Sequence, residues 1–113
     1  MAYQSEVKLQ GDSRTFKLSP NLKKYTLMDL GFQIRKNGSF QLERSLDITS
    51  PYNQGAKLKV VIKPDFDKFK LNVVTANGLR EVDIFKREQD QPLVVQYNFY
   101  INQLIEREVL ETK

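Results

Sequence analysis

Hydrophobic and polar positions alternate around three glycine turns, and each turn can be judged by whether the strand pairing it imposes sets apolar residues opposite apolar ones. A two-residue loop at Asn77-Gly78 pairs Ala76 with Leu79, Val73 with Val82 and Leu71 with Ile84 on one face. The other face then pairs Val74 with Glu81 and Asn72 with Asp83, which is mostly polar. A slip of one residue destroys that segregation, so the pattern predicts a hairpin from about Lys68 to Lys86. At Asn37-Gly38 a two-residue loop would set Ile34 against Gln41 and Phe32 against Glu43. A three-residue loop, Lys36-Asn37-Gly38 with Gly38 left-handed, sets Ile34 against Phe40, Phe32 against Leu42, and Gln33 against Gln41 on the wet face. Gly11-Asp12 suits a glycine-first turn that places Val7 opposite Phe16.

Leu58, Val60 and Ile62 alternate with Lys57, Lys59, Val61 and Lys63, the pattern of an amphipathic strand. Pro64-Asp65-Phe66-Asp67 turns that strand into Lys68, giving a three-strand antiparallel meander. Ser19-Pro20 can start a short helical turn before Tyr25, and Gly31 can close a second around Leu27 to Leu30. Thr49 to Gly55 is rich in turn formers and reads as a loop.

From Asp90 the period changes. Asp90 can cap a helix, Pro92 is tolerable in its first turn, and Leu93, Tyr97, Tyr100, Ile101, Leu104 and Ile105 recur at intervals of three and four. The spacing predicts one long helix over about 90–111. Val94, Val95 and Phe99 widen its apolar face, which predicts sheet on more than one side. Strands followed by one helix make an α+β fold with predominantly antiparallel strands.

The chain has 113 residues, enough for a single domain over 1–113 that buries roughly two-thirds of its unfolded surface. No apolar run approaches the ~18 residues of a membrane span, and Met1 to Glu6 lacks the order of a secretory signal, so a soluble, cytoplasmic protein is expected. Histidine and cysteine are both absent. That removes the side chain that titrates near neutrality, the His-activated nucleophile and the usual zinc ligands. No metal or cofactor is implied.

Charge is uneven. Residues 1–63 carry eleven Lys/Arg against five Asp/Glu, whereas residues 64–113 carry seven against nine. The basic half can attract an anion. Lys57, Lys59, Lys63, Lys68 and Lys70 gather on the polar faces of two neighbouring strands as a basic stripe, which Glu81 and Asp83 on the next strand can partly neutralise. Phe69 lies on the opposite face from Lys68 and Lys70, so the stripe lacks stacking aromatics and a nucleic-acid partner is disfavoured.

The run Asn37-Gly38-Ser39-Phe40-Gln41-Leu42-Glu43-Arg44, with Leu46-Asp47, Ser50-Pro51-Tyr52-Asn53, Phe69-Lys70, Thr75-Ala76-Asn77-Gly78-Leu79-Arg80 and Ile84-Phe85-Lys86, resembles a family of uncharacterised short proteins from lactic-acid bacteria, a domain of unknown function. The resemblance spans nearly the whole chain and implies two sheets packed against a single long C-terminal helix. The family is remotely similar in fold to prokaryotic S-adenosylmethionine decarboxylases, which implies a setting in amino-acid or sulfur metabolism. Those decarboxylases self-cleave at a Glu-Ser step and use cysteine and histidine. Here the adjacent pair is Ser5-Glu6, in reverse order, so their chemistry transfers to no residue of this chain.

Arg44 follows Phe40 and Leu42 on one face, with Leu46 and Ile48 beyond it. A guanidinium among apolar neighbours needs a partner, either internal, such as Asp47, or a bound anion clamped with help from Tyr52 and Asn53. Asp65 and Asp67 fit turn chemistry better than a metal site. These features favour a small non-catalytic binding or accessory protein taking a small anionic ligand or a protein partner, as a monomer or homodimer. The alternatives are a small enzyme with its acid or base drawn from Glu43, Asp47, Tyr52 or a lysine, and a nucleic-acid-binding module.

Overall fold

The computed structural model describes residues 3–9, 11–46, 56–75, 77–78, 80–86 and 91–113. In chain order these form β1 (Glu6–Val7), β2 (Phe16–Leu18), α1 (Lys24–Leu30), β3 (Gln33–Ile34), β4 (Phe40–Ser45), β5 (Lys57–Ile62), β6 (Phe69–Val74), α2 (Gln91–Glu106) and β7 (Leu110–Thr112). One sheet has the order β1-β2-β7 and the other β3-β4-β5-β6, every pairing antiparallel. The sheets meet where Gln4 and Phe69 exchange backbone hydrogen bonds of 3.0 and 2.9 Å. The fold is α+β, as the pattern implied.

Two turns impose the expected registers. Ile34 pairs with Phe40 and Gln33 with Gln41 around Gly38 at φ 87°, although Ile34, on an edge strand, stays exposed. Val7 pairs with Phe16. The turn between them differs from the glycine-first form: Asp12 N–H donates to Leu9 O, so Gly11, at φ 93°, holds the third position, where a type II turn requires positive φ.

At Asn77-Gly78 the register is also the expected one, with Val74 bridging Glu81 and Val82 N–H donating to Val73 O at 2.9 Å. Ala76 and Leu79 lie outside the described residues. The second arm does not continue as a strand to Lys86, however. The Asp83 carboxylate accepts the Phe85 N–H at 2.9 Å, an Asx turn that competes with the ladder and bends the chain. Ile84 still enters the core with no exposure, by way of that bend.

Of the two short helical turns expected before β3, the one closed by Gly31 is met by α1, which ends there with φ 99°, whereas Ser19-Pro20 starts only a single turn, with Leu22 N–H donating to Ser19 O at 3.2 Å. Gly31 N–H donates to Met28 O and Phe32 N–H to Leu27 O, so a left-handed glycine satisfies two of the last carbonyls.

Helix α2 ends at Glu106 rather than near 111, and Asp90, its expected cap, lies outside the described residues. Glu108 adopts φ 60°, Val109 N–H donates back to Leu104 O, and Leu110–Thr112 then pairs with β2. Val109 and Leu110 are buried as consecutive residues, which a helix would have to turn by about 100° from each other. The apolar face of α2 is also narrower than expected. Tyr97, Ile101 and Leu104 are buried in the core, but Val95 and Phe99 are exposed.

A buried polar cluster ties α2 to the β1–β2 turn. Asp12, its side chain 4% exposed, accepts Arg14 Nε and Nη2 at 3.0 Å each, Arg14 N–H at 2.9 Å and the Tyr97 hydroxyl at 2.9 Å. Arg14 Nη2 also donates to Asn98 Oδ1 at 2.6 Å, and the guanidinium lies 5.1 Å from the centroid of Phe16. Burial opposes ionisation of Asp12, but the hydrogen bonds from Arg14 and Tyr97 outweigh it and hold the carboxyl below its usual range. Burial and the neighbouring Asp12 charge push the Tyr97 phenol far up, so it stays a neutral donor.

Candidate anion-binding face

The β4-β5-β6 register sends Phe40, Leu42, Leu58, Val60, Ile62, Leu71 and Val73 to the core and presents three rows on the other face. Gln41, Val61 and Lys70 form one row, Glu43, Lys59 and Asn72 the next, and Ser45, Lys57 and Val74 the third. Val61 and Val74 are only 2% and 4% exposed even though they lie outside the core cluster. They floor a depression of about 220 Å³ whose walls include Arg35, Lys59, Lys70, Arg80, Asn72 and Glu81. Long basic side chains laid over small apolar residues bury their stems and leave their cationic ends in water.

The hollow's lining therefore holds four cations and one carboxylate, Glu81, while Glu43 stands opposite Lys59 in the ladder just outside it. Among the described residues, none of the four has a carboxylate within ion-pair distance. Lys59 and Lys70 are diagonal cross-strand neighbours, close enough for both ammonium groups to converge on one anionic group. A second, adjoining depression of about 160 Å³ shares Asn72 and Glu81 and adds Asp83, with Leu9, Val82 and Phe85 as apolar wall. The basic hollow thus opens beside an acidic one, with Asn72 and Glu81 at their junction.

The expected lysine stripe divides by environment. Lys57 pairs with Glu43 at 2.5 Å, and Glu43 also accepts Gln41 Nε2 at 2.8 Å. The Lys57 hydrogen bond holds the Glu43 carboxyl below its usual range. Neutralisation thus comes from β4, whereas Glu81 and Asp83 form no ion pair among the described residues. Lys59 and Lys70 line the basic hollow, and Lys68 is exposed at the start of β6. Lys63 and Lys70 flank the Tyr3 ring at 5.6 and 4.4 Å from its centroid.

Arg44 sits at the rim of the core face, opposite Leu58 in the ladder. Its Nη2 donates to Leu30 O at 2.8 Å and its Nη1 to Glu43 O at 2.9 Å, so the guanidinium caps the C-terminal end of α1. A cation at a helix C-terminus meets both an orphan carbonyl and the negative end of the dipole. Gly31 makes room for it, because a β-carbon there would collide with Arg44 Nη2. Asp47, Tyr52 and Asn53, expected to act with Arg44, lie outside the described residues. The hollow beside Arg44 is lined by Gly31, Gln33, Gln41 and Glu43.

Sequence reasoning missed Arg35, Arg80 and Tyr3. Arg35 shares the parity of Gln33 and was legible on the wet face, but Arg80 opposes Thr75, whose parity points to the core side. Tyr3 arrives through the Gln4–Phe69 bridge, for which no local pattern exists. Among the described residues no group of three His, Cys, Asp or Glu side chains could hold a metal, and no helix is long and apolar enough to cross a membrane.

No curated protein matches the chain. Residues 1–111 match the DUF1831 family model, described as putative amino acid metabolism. A crystal structure of a DUF1831 family protein from Lactobacillus plantarum is 47% identical and superimposes with a TM-score of 0.91, covering 100% of this chain and 99% of that one. The match extends across both sheets and α2, and the chain belongs to the DUF1831 family.

Proposed function

We propose that this protein is a non-catalytic binding or accessory protein of amino-acid metabolism that holds a small acidic amino acid on the outer face of the four-stranded sheet. The observation that carries this reading is the cluster of Arg35, Lys59, Lys70 and Arg80, unpaired among the described residues, over an apolar floor. Mutual repulsion among four like charges is relieved by an anion, and the adjoining Glu81 and Asp83 suit an ammonium group on the same ligand. The family description, putative amino acid metabolism, supports an amino-acid setting for such a ligand. The remote resemblance in fold to prokaryotic S-adenosylmethionine decarboxylases implied by the sequence would widen that setting to sulfur metabolism, without lending catalytic residues.

The hollow is smaller than the ~300 Å³ at which drug-sized sites begin, so the ligand is small. Arg44 is the alternative anchor for an anion, with Asp47, Tyr52 and Asn53. Its engaged Nη1 and Nη2 atoms and the Glu43 carboxylate beside it favour the basic hollow instead.

A thermal-shift screen against amino acids, dicarboxylates, nucleosides and inorganic phosphate tests the reading. Ligand at ten times its Kd adds about 1.4 kcal/mol, or about 5 °C in Tm for a domain of this size. Acidic amino acids should raise Tm in wild type and fail to do so in the Lys59→Ala/Lys70→Ala variant. An equal response from both proteins would remove the site.

A further inference from the structure

We propose that Tyr3 is a positioning residue of the anion site, its ring holding the Lys70 ammonium group at the margin of the basic hollow. The inference rests on the reading that this hollow takes a small acidic amino acid. Gln4 and Phe69 exchange backbone hydrogen bonds of 3.0 and 2.9 Å, an isolated antiparallel bridge on the side of β6 turned away from β5. Antiparallel pairing about that bridge sets Tyr3 opposite Lys70, so the outer-face row of Gln41, Val61 and Lys70 gains an aromatic ring at its end. Lys70 Nζ lies 4.4 Å from the ring centroid and Lys63 Nζ 5.6 Å, both within the ~6 Å of a cation–π contact. In the same conformation Lys70 lines the hollow.

Among the described residues, Lys70 is the one cation of the hollow held against an aromatic ring, and its ammonium has neither a hydrogen bond nor an ion pair. A lysine ammonium on its four-carbon stem has many conformers, and a ligand that must fix one of them binds more weakly. The ring face attracts the cation before a ligand arrives, which preorganises it. The ring meets one side of the ammonium, and the N–H donors on its other side remain for a carboxylate. Lys63 shares the ring but does not line the hollow, so the effect of Tyr3 on binding runs through Lys70.

Titration of wild type, Tyr3→Leu and Tyr3→Phe with L-glutamate tests the role. Leucine keeps apolar bulk but has no π face, so Tyr3→Leu should raise the Kd about 2–5-fold, the range of an exposed cation–π contact. Tyr3→Phe keeps the ring and should bind as wild type does. A ligand-free readout accompanies the titration: in wild type and Tyr3→Phe the ε-methylene protons of Lys70, lying over the ring, should resonate upfield of those of exposed Lys68, and in Tyr3→Leu the difference should vanish. Should Tyr3→Leu loosen the Gln4–Phe69 bridge, visible as faster exchange of those two amides, the shift in wild type still decides. Wild type that fails to bind L-glutamate saturably overturns the binding reading and this inference with it. Saturable binding that Tyr3→Leu leaves unchanged, a loss that Tyr3→Phe fails to rescue, or an absent upfield shift overturns the inference and leaves the binding reading standing.

Discussion

Replacing Asp12 by alanine isolates the cluster that fastens α2 to the β1–β2 turn. The substitution removes the acceptor of the Tyr97 hydroxyl, both side-chain bonds of Arg14 and the bond to the Arg14 backbone N–H. Tyr97 is fully buried, so its hydroxyl is left without its acceptor at a cost of about 1–3 kcal/mol. The Arg14 side chain is 30% exposed and can recover water, which limits its share to about 1 kcal/mol, and the lost backbone bond contributes a similar amount. Asp12→Ala should therefore lower unfolding stability by about 3–5 kcal/mol in urea titrations at neutral pH.

The pH dependence supplies an independent reading. The Asp12 pKa is lower in the folded state than its ordinary value of 3.8, so the unfolded chain binds the proton more readily. The stabilisation is complete above the unfolded value and is lost as pH falls through the folded one. Asp12→Asn should flatten the acid limb of the stability curve below about pH 4 relative to wild type. A loss under about 1 kcal/mol for the alanine variant, or superimposable acid limbs, would refute the cluster as the fastening of α2.

Other elements give shorter tests. Arg44→Ala should cost about 1–3 kcal/mol, because two charged hydrogen bonds disappear, one to Leu30 O at the end of α1 and one to Glu43 O in β4; a change within 0.5 kcal/mol would deny the cap. Gly31→Ala forces a left-handed φ and meets Arg44, so calorimetry should show a loss of about 1–3 kcal/mol, and an unchanged Tm would contradict that crowding. Ile84→Ala should cost about 2–5 kcal/mol in denaturant unfolding despite its position outside any strand; a surface-like loss would mean that the bent arm does not fill the core. Glu43→Gln, by contrast, should change stability by under about 1 kcal/mol, since its pair with Lys57 is partly exposed.

How legible each element was followed from the range of the interaction that made it. The Gly38 and Val7–Phe16 registers rest on neighbours in sequence, and alternation was enough to place them. Around Asn77-Gly78 alternation set the register, but the Asp83 side chain replaced ladder bonds locally and ended the second arm. Periodicity located α2 without its end, because the pairing of Leu110 with Leu18 joins residues far apart in the chain. Val95 and Phe99 were read as core because apolar width alone does not say whether a second layer covers it. In the candidate site, Lys59 and Lys70 were visible as one polar face, and Arg44 was visible as a cation that needed a partner. That partner, Leu30 O, is a backbone atom on another element and has no signature in residue types. The contribution of Asp12, 85 residues from Tyr97, was hidden for the same reason.

The binding site on the outer sheet face can be tested most directly by an amide NMR titration of the intact protein with L-glutamate. The account predicts saturable shifts centred on Lys59, Lys70, Asn72 and Glu81, abolished by Lys59→Ala/Lys70→Ala and retained in Arg44→Ala. Non-saturating shifts, or shifts centred on Gly31 and Arg44, would contradict it.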